Sequence, residues 1–238
     1  MKPSQPATRK RFYKSATVEE REGSGFAVLL DGRQVKTPAG KPLAVPARAL
    51  AEAIAAEWNA QGEAIVPASL PLTKLANTAI DAVAERAADV ADDILKYAAT
   101  DLVCYRAEYP AGLVAAQAAE WDPILSWAVA KHGAPLLTSA GIAHVAQPEA
   151  SLAALRGVVA AMDAFKLTAL HAMTSLTGSA LIALGHAEGE LPGAAAWAAA
   201  NTDERWQASH WGEDFEAAER LKARLAEFEA ASRFFQLA

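Results

Sequence analysis

Residues 26–37 read FAVLLDGRQVKT, and they decide the fold class. The apolar run at residues 26–30 has strand length and no helical period. Asp31 and Gly32 follow as the strongest short-range hairpin signal, because a two-residue turn needs positive φ at its central positions. Residues 34–37 return as the partner strand. Upstream, residues 11–18 predict a first strand, weakened by Lys14 and Ser15, and residues 22–25 (EGSG) mark a turn. Downstream, residues 38–41 (PAGK) turn the chain into a short strand at residues 42–45. The front of the chain is therefore expected to be a small antiparallel sheet. Residues 1–8, polar with two prolines, are expected to be a frayed leader.

After residue 46 the period becomes helical. Pro46 suits a first turn, and Leu50, Ile54 and Trp58 share a face over residues 47–61. Trp58 reads as a core group. Leu72, Leu75, Ala76, Ala79 and Val83 give a second helix; Val90, Ile94 and Tyr97 give a third over residues 87–99. Residues 100–109 (TDLVCYRAEY) break the pattern. Residues 113–131 follow as a helix in which Pro123 predicts a kink or two successive helices. Leu152, Leu155, Val159 and Met162 mark the next. Asp163 is a good N-cap for a helix through His186, apolar on nearly all sides and so expected to be the central one. Lys166, His171 and several hydroxyls argue against its spanning a membrane. A helix from Leu191 and a last one over residues 213–235 complete the chain, with Gly212 as a break between them. The expected fold is an α+β N-terminal domain with a small antiparallel sheet, residues 1–87, and an all-α helical C-terminal domain of five or six helices, residues 88–238.

Composition narrows the function. The 238 residues suffice for a substantial core, and their 53% hydrophobic content with only 7% aromatics reflects an alanine excess that favours helices. A net charge of -6 without a basic block disfavours nucleic acid. The single Cys104 excludes an intramolecular disulfide and fits a reducing compartment. The N-terminus lacks the apolar stretch of a signal peptide, so the expected location is cytoplasmic. There is no GxxxxGK[ST] phosphate loop and no GxGxxG between strand and helix. His132, His144, His171, His186 and His210 form no pair at helical metal-ligand spacing. No cofactor or metal is expected.

The candidate site lies in residues 201–216, NTDERWQASHWGEDFE. Trp197, Glu204 and Trp211 recur every seven residues, nearly one face of a helix, and Ala208 and Phe215 continue it. A carboxylate on an aromatic stripe calls for a reason. Glu204 is either at the edge of the stripe or paired with an arginine inside the fold, or else it is displayed in an apolar surface that a partner covers. Trp206 lies on the other side of that helix, so one of Trp206 and Trp211 is expected to pack on the core and the other to be exposed. Trp is the residue type most enriched at interaction hot spots. The alternative is a small-molecule enzyme using Glu204 as general acid or base.

Several stretches together resemble one family, the assembly chaperones of the F1-ATPase that handle its α subunit. They are KTPAGKPLAVPARALAEAIAAEWNAQ at 36–61, LPLTKLANTAID at 70–81, TDLVCYRAE at 100–108, WDPIL at 121–125 and DERWQASHWGED at 203–214. Trp206 departs from the tyrosine usual in that family. The resemblance implies a mixed N-terminal domain, a helical C-terminal domain and a monomer that binds the free F1 α subunit until β replaces it. It implies a partner-binding role for Glu204, with Gln207, Trp206 and Trp211 beside it, Asp203 and Glu213 as further acidic candidates, and structural roles for Trp58 and Gly212. It implies a non-enzymatic protein without nucleic-acid or membrane binding.

Overall fold

The computed structural model describes residues 9–23, 25–141, 143–212 and 214–238. Strands β2 (Ala16–Arg21) and β3 (Gly25–Leu30) pair antiparallel from Ala16 opposite Leu30 to Arg21 opposite Gly25. Strand β4 (Arg33–Gln34) returns along β3 through Asp31 and Gly32, whose φ values of 48° and 78° are those of a type I′ turn. Strand β5 (Ala44–Val45) pairs with the start of β3. A separate ribbon joins β1 (Arg9–Lys10) to β6 (Ala64–Ile65). Of the strand expected at residues 11–18, only residues 16–18 are strand, as the start of β2; residues 11–15 lie between β1 and β2. The Asp31 carboxylate takes the backbone N–H groups of Lys14 and Ser15 at 3.0–3.1 Å, so the intervening chain bonds to a side chain instead of a ladder.

Helix α1 (Arg48–Asn59) lays Leu50, Ala51, Ile54 and Ala55 on the sheet. Trp58 meets Tyr13 edge to face at 5.6 Å, and its carbonyl accepts the Tyr13 hydroxyl at 2.6 Å. Its neighbour Glu57 reaches across to the start of α2 (Pro71–Thr78). There its carboxylate accepts the N–H groups of Leu72 and Thr73 and the Thr73 hydroxyl at 2.6–2.9 Å. Helix α2 begins with proline and lacks a side-chain cap of its own, so Glu57 supplies the cap from another helix. Partial burial raises the Glu57 carboxyl above its ordinary range despite these bonds.

The rest of the chain is helical: α3 (Ala87–Ala99), α4 (Ala111–His132), α5 (Glu149–Ala160), α6 (Ala164–Thr177), α7 (Ala180–Ala187), α8 (Gly193–Ala200), α9 (Thr202–Trp211) and α10 (Phe215–Leu237). A two-residue parallel pair, β7 (Tyr105–Arg106) with β8 (Ser139–Ala140), ties the loops together. Helix α4 runs through Pro123 as one helix. Trp121, Ile124, Leu155, Leu167, Leu170 and Leu181 are among the buried residues of the helical core; Leu50, Ile54, Leu43 and Val45 belong to that of the front. Helix α10 serves both, with Phe228 in the first cluster and Phe234 in the second. Among the described residues no helix is long and apolar enough to cross a membrane.

The helix expected over residues 163–186 is two helices. Gly178 takes φ 69°, and Ser179 caps α7 by accepting the N–H of Ile182 at 2.9 Å. The fully buried Asp101 completes the break: one carboxylate oxygen accepts the Leu181 N–H at 3.1 Å, the other that of Val103 at 3.3 Å. Burial nevertheless dominates its charge state, holding the carboxyl at about 6 against an ordinary 3.8. The same burial, with Asp101 beside it, pushes the Cys104 thiol up to about 12 and leaves it inert.

Two outcomes follow for stability. Glu57→Ala leaves the start of α2 uncapped and should cost about 1–2 kcal/mol, read as a lowered midpoint in urea. For Asp101 the folded pKa lies above the unfolded one, so the folded state holds the proton more tightly. Its stabilising contribution is complete below about pH 4 and declines by roughly 3 kcal/mol as pH rises through 6. The stability advantage of the native protein over Asp101→Asn should therefore shrink between pH 4.5 and pH 7. A gap that stays constant over that interval would contradict the assignment.

Candidate functional site

The candidate site is built on α9, and α9 starts at a break. Asn201 (φ −122°, ψ 30°) ends α8; its amide donates to the Trp197 carbonyl at 2.8 Å, and the Thr202 hydroxyl donates to that of Ala199 at 2.9 Å. Polar side chains that compete for backbone acceptors favour such an end. The continuous helix expected from Leu191 is therefore two helices, and the seven-residue stripe through Trp197 does not hold. Trp197 is buried against Phe228, 5.4 Å between ring centres, apart from Glu204 and Trp211.

Three contacts seat α8 and α9 on α4. The Trp121 indole N–H donates to the Ala199 carbonyl at 2.8 Å. Buried Gln117 donates to the Asp203 carboxylate at 2.8 Å while accepting the Ala107 N–H at 2.8 Å. Arg205 pairs with Glu120 at 3.2 Å. Asp203 is thus engaged within the fold. Trp206 is half-buried over Gly112 near the start of α4, where a β-carbon would lie 3.3 Å from the indole nitrogen. His210 stacks on its ring, with centroids 4.0 Å apart.

The other residues of α9 face outward. Glu204 is exposed and has no ion-pair partner among the described residues, so it is not locked against an internal arginine. Gln207 and Ala208 are exposed, Trp211 is 75% exposed, and Phe215 at the start of α10 is 78% exposed. Gly212 turns the chain between the helices with φ 90°, a region that disfavours any side chain. Glu213 lies outside the described residues. Between α9 and α10 runs a groove of about 570 Å³ that Glu204, Gln207, Ala208 and Trp211 line from one side and Ala217 and Leu221 from the other. Chemically it offers a solvated carboxylate, an amide and one exposed indole, which suit docking of a complementary surface. Among the described residues no cluster of three or more His, Cys, Asp or Glu is placed to hold a metal ion.

Sequence reasoning put Glu204 on a helix and left its exposure open, and it missed the contacts that hold α9. Gln117, following Leu113 and preceding Trp121 by four residues, is a polar group in a buried stripe, and that was its available signal. Nothing in the local pattern of Gly112 points to Trp206.

Comparison with known proteins gives the family. The family model described as ATP12 chaperone protein matches residues 10–129, a span that ends before α9. The mitochondrial protein atp12 of Schizosaccharomyces pombe is 27% identical over 220 residues, covering 87% of this chain and 75% of the yeast protein. The crystal structure of Atp12 from Paracoccus denitrificans superposes with a TM-score of 0.92 at 43% identity, covering 96% of this chain and 98% of that one. A protein from Agrobacterium tumefaciens superposes with a TM-score of 0.94 at 46% identity, over 97% of this chain and 86% of its own. These matches extend the family's fold through α9 and α10, and the chain belongs to the ATP12 chaperone family.

Proposed function

We propose that this protein is an assembly chaperone of the F1 sector of ATP synthase that binds the free α subunit and covers its interface until β takes its place. The observation that carries the reading is Glu204, exposed and without an ion-pair partner among the described residues, lining one groove with the exposed Trp211. Family membership supports a chaperone. An unassembled subunit exposes the apolar surface its neighbour later covers, and such surface aggregates. A carboxylate sharing a groove with an exposed indole gives that surface a charge-assisted contact with register. In this reading the protein acts as a cytoplasmic monomer, and release needs no nucleotide, because a larger final interface displaces a smaller one.

Capture from a mixture of separately expressed F1 α and β subunits tests the partner: α should be retained and β not. Glu204→Gln keeps the shape and removes the charge. It should weaken α capture roughly tenfold or more, the worth of a charge-assisted hydrogen bond, with the thermal midpoint unchanged. Unchanged capture with a shifted midpoint would return Glu204 to a structural role. Retention of β in place of α would overturn the partner assignment.

A further inference from the structure

Helices α9 and α10 are joined by residues 212–214 alone. A connection that short ordinarily makes two helices antiparallel neighbours, packed 8–10 Å apart through their facing stripes. Here they barely touch among the described residues: α9 packs on α4 and α8, and α10 packs chiefly on α6 and α2. The facing stripes border the open slot instead. Its α9 wall carries Glu204, Ala208 and Trp211, and its α10 wall carries Ala217 and Leu221, of which only Leu221 is half-buried.

Resting on the partner reading above, we propose that this slot receives an amphipathic helix of the captured subunit, with a lysine or arginine of that helix set against Glu204. Two observations select this occupant. First, both walls are helices whose backbone groups bond within their own turns. An extended segment laid between them would bury N–H and C=O groups with nothing to pair them, whereas a helix arrives with its backbone already satisfied. Alanines at 208 and 217 leave the backbone approachable, and the anchors of such a helix sit at i, i+3, i+4 and i+7. Second, the charges on the slot are committed except one. Arg205 pairs with Glu120, Arg220 with Glu216 at 3.6 Å, and Arg224 donates to the Leu176 carbonyl at 2.6 Å. Asp214 caps α10 through the Ala217 N–H at 3.1 Å. Glu204 alone among these has no partner among the described residues, so the complement it selects is a cation.

The test fills the slot. Ala217→Trp adds bulk at an exposed position and should leave folding intact while lowering affinity for the F1 α subunit roughly tenfold or more, as a filled site excludes its occupant. If Ala217→Trp misfolds, Ala208→Leu on the opposite wall serves the same purpose. Hydrogen exchange on α in the complex with the native protein should show protection of one helical stretch carrying a lysine or arginine, and this protection should be lost with the filled variant. Normal capture by the folded filled variants, or protection confined to strands and loops of α, would overturn the slot assignment. Capture of α that is sensitive to Glu204→Gln but insensitive to slot filling would leave the chaperone reading standing and remove this one. Failure of the native protein to capture α would remove both.

Discussion

A carboxylate with no exposed surface, Asp101, sits at the N-terminus of α7. A buried ionised group is costly, and this one is tolerated because backbone N–H groups of two different segments point at it. Without it, the chain leaving α6 at Gly178 would present unbonded amides to an apolar core. Asp101 therefore makes the turn between α6 and α7 possible where neither solvent nor a strand can. The same device recurs with Glu57 at the start of α2. The fold is largely helices stacked on helices, and its expensive points are helix ends; carboxylates from elsewhere in the chain cover two of them.

Sequence reading succeeds where the decisive chemistry is local. The hairpin at Asp31 and Gly32 is legible because both residues take positive φ and the signal lies within the turn itself. Helix stripes such as Leu50 and Ile54 are legible because burial follows the period. The two helix breaks were missed for a shared reason. At Gly178–Ser179 a glycine that ends one helix and a serine that caps the next did carry a local signal, but the apolar run that resumes at Ala180 concealed it, and a further partner lies 80 residues away at Asp101. At Asn201–Thr202 two adjacent polar residues did carry a local signal, but the spacing of Trp197, Glu204 and Trp211 concealed it. With the break in place, Glu204 is exposed for a different cause than the stripe suggested: α9 buries only Thr202, and its contacts with α4 run through Asp203, Arg205 and Trp206.

Anchorage of the candidate site is separated from its exposed face. Helix α10 is held by its second half, where Phe228 and Phe234 enter the two cores. Its first half carries Ala218, Leu221 and Leu225 only half-buried, among charged residues. Helix α9 is fixed from behind by the Gln117 amide and the Trp206 indole, both on the α4 side. Neither helix depends on the other for its position, which is why the space between them stays open without collapsing.

This composition also bears on how firmly such a surface binds. Alanine walls remove little apolar area per residue from water, at about 25 cal/mol per Å², so the slot itself contributes modestly. On the proposed reading, strength is concentrated in Trp211 and the carboxylate of Glu204, a few anchors of the kind that dominate interface energies. A partner held by few anchors dissociates readily, since differences among related interfaces lie mostly in the off-rate. For a chaperone whose cargo must pass to a permanent neighbour, that balance is a requirement: enough contact to mask an apolar face, and little enough that a broader subunit interface displaces it without an external energy source.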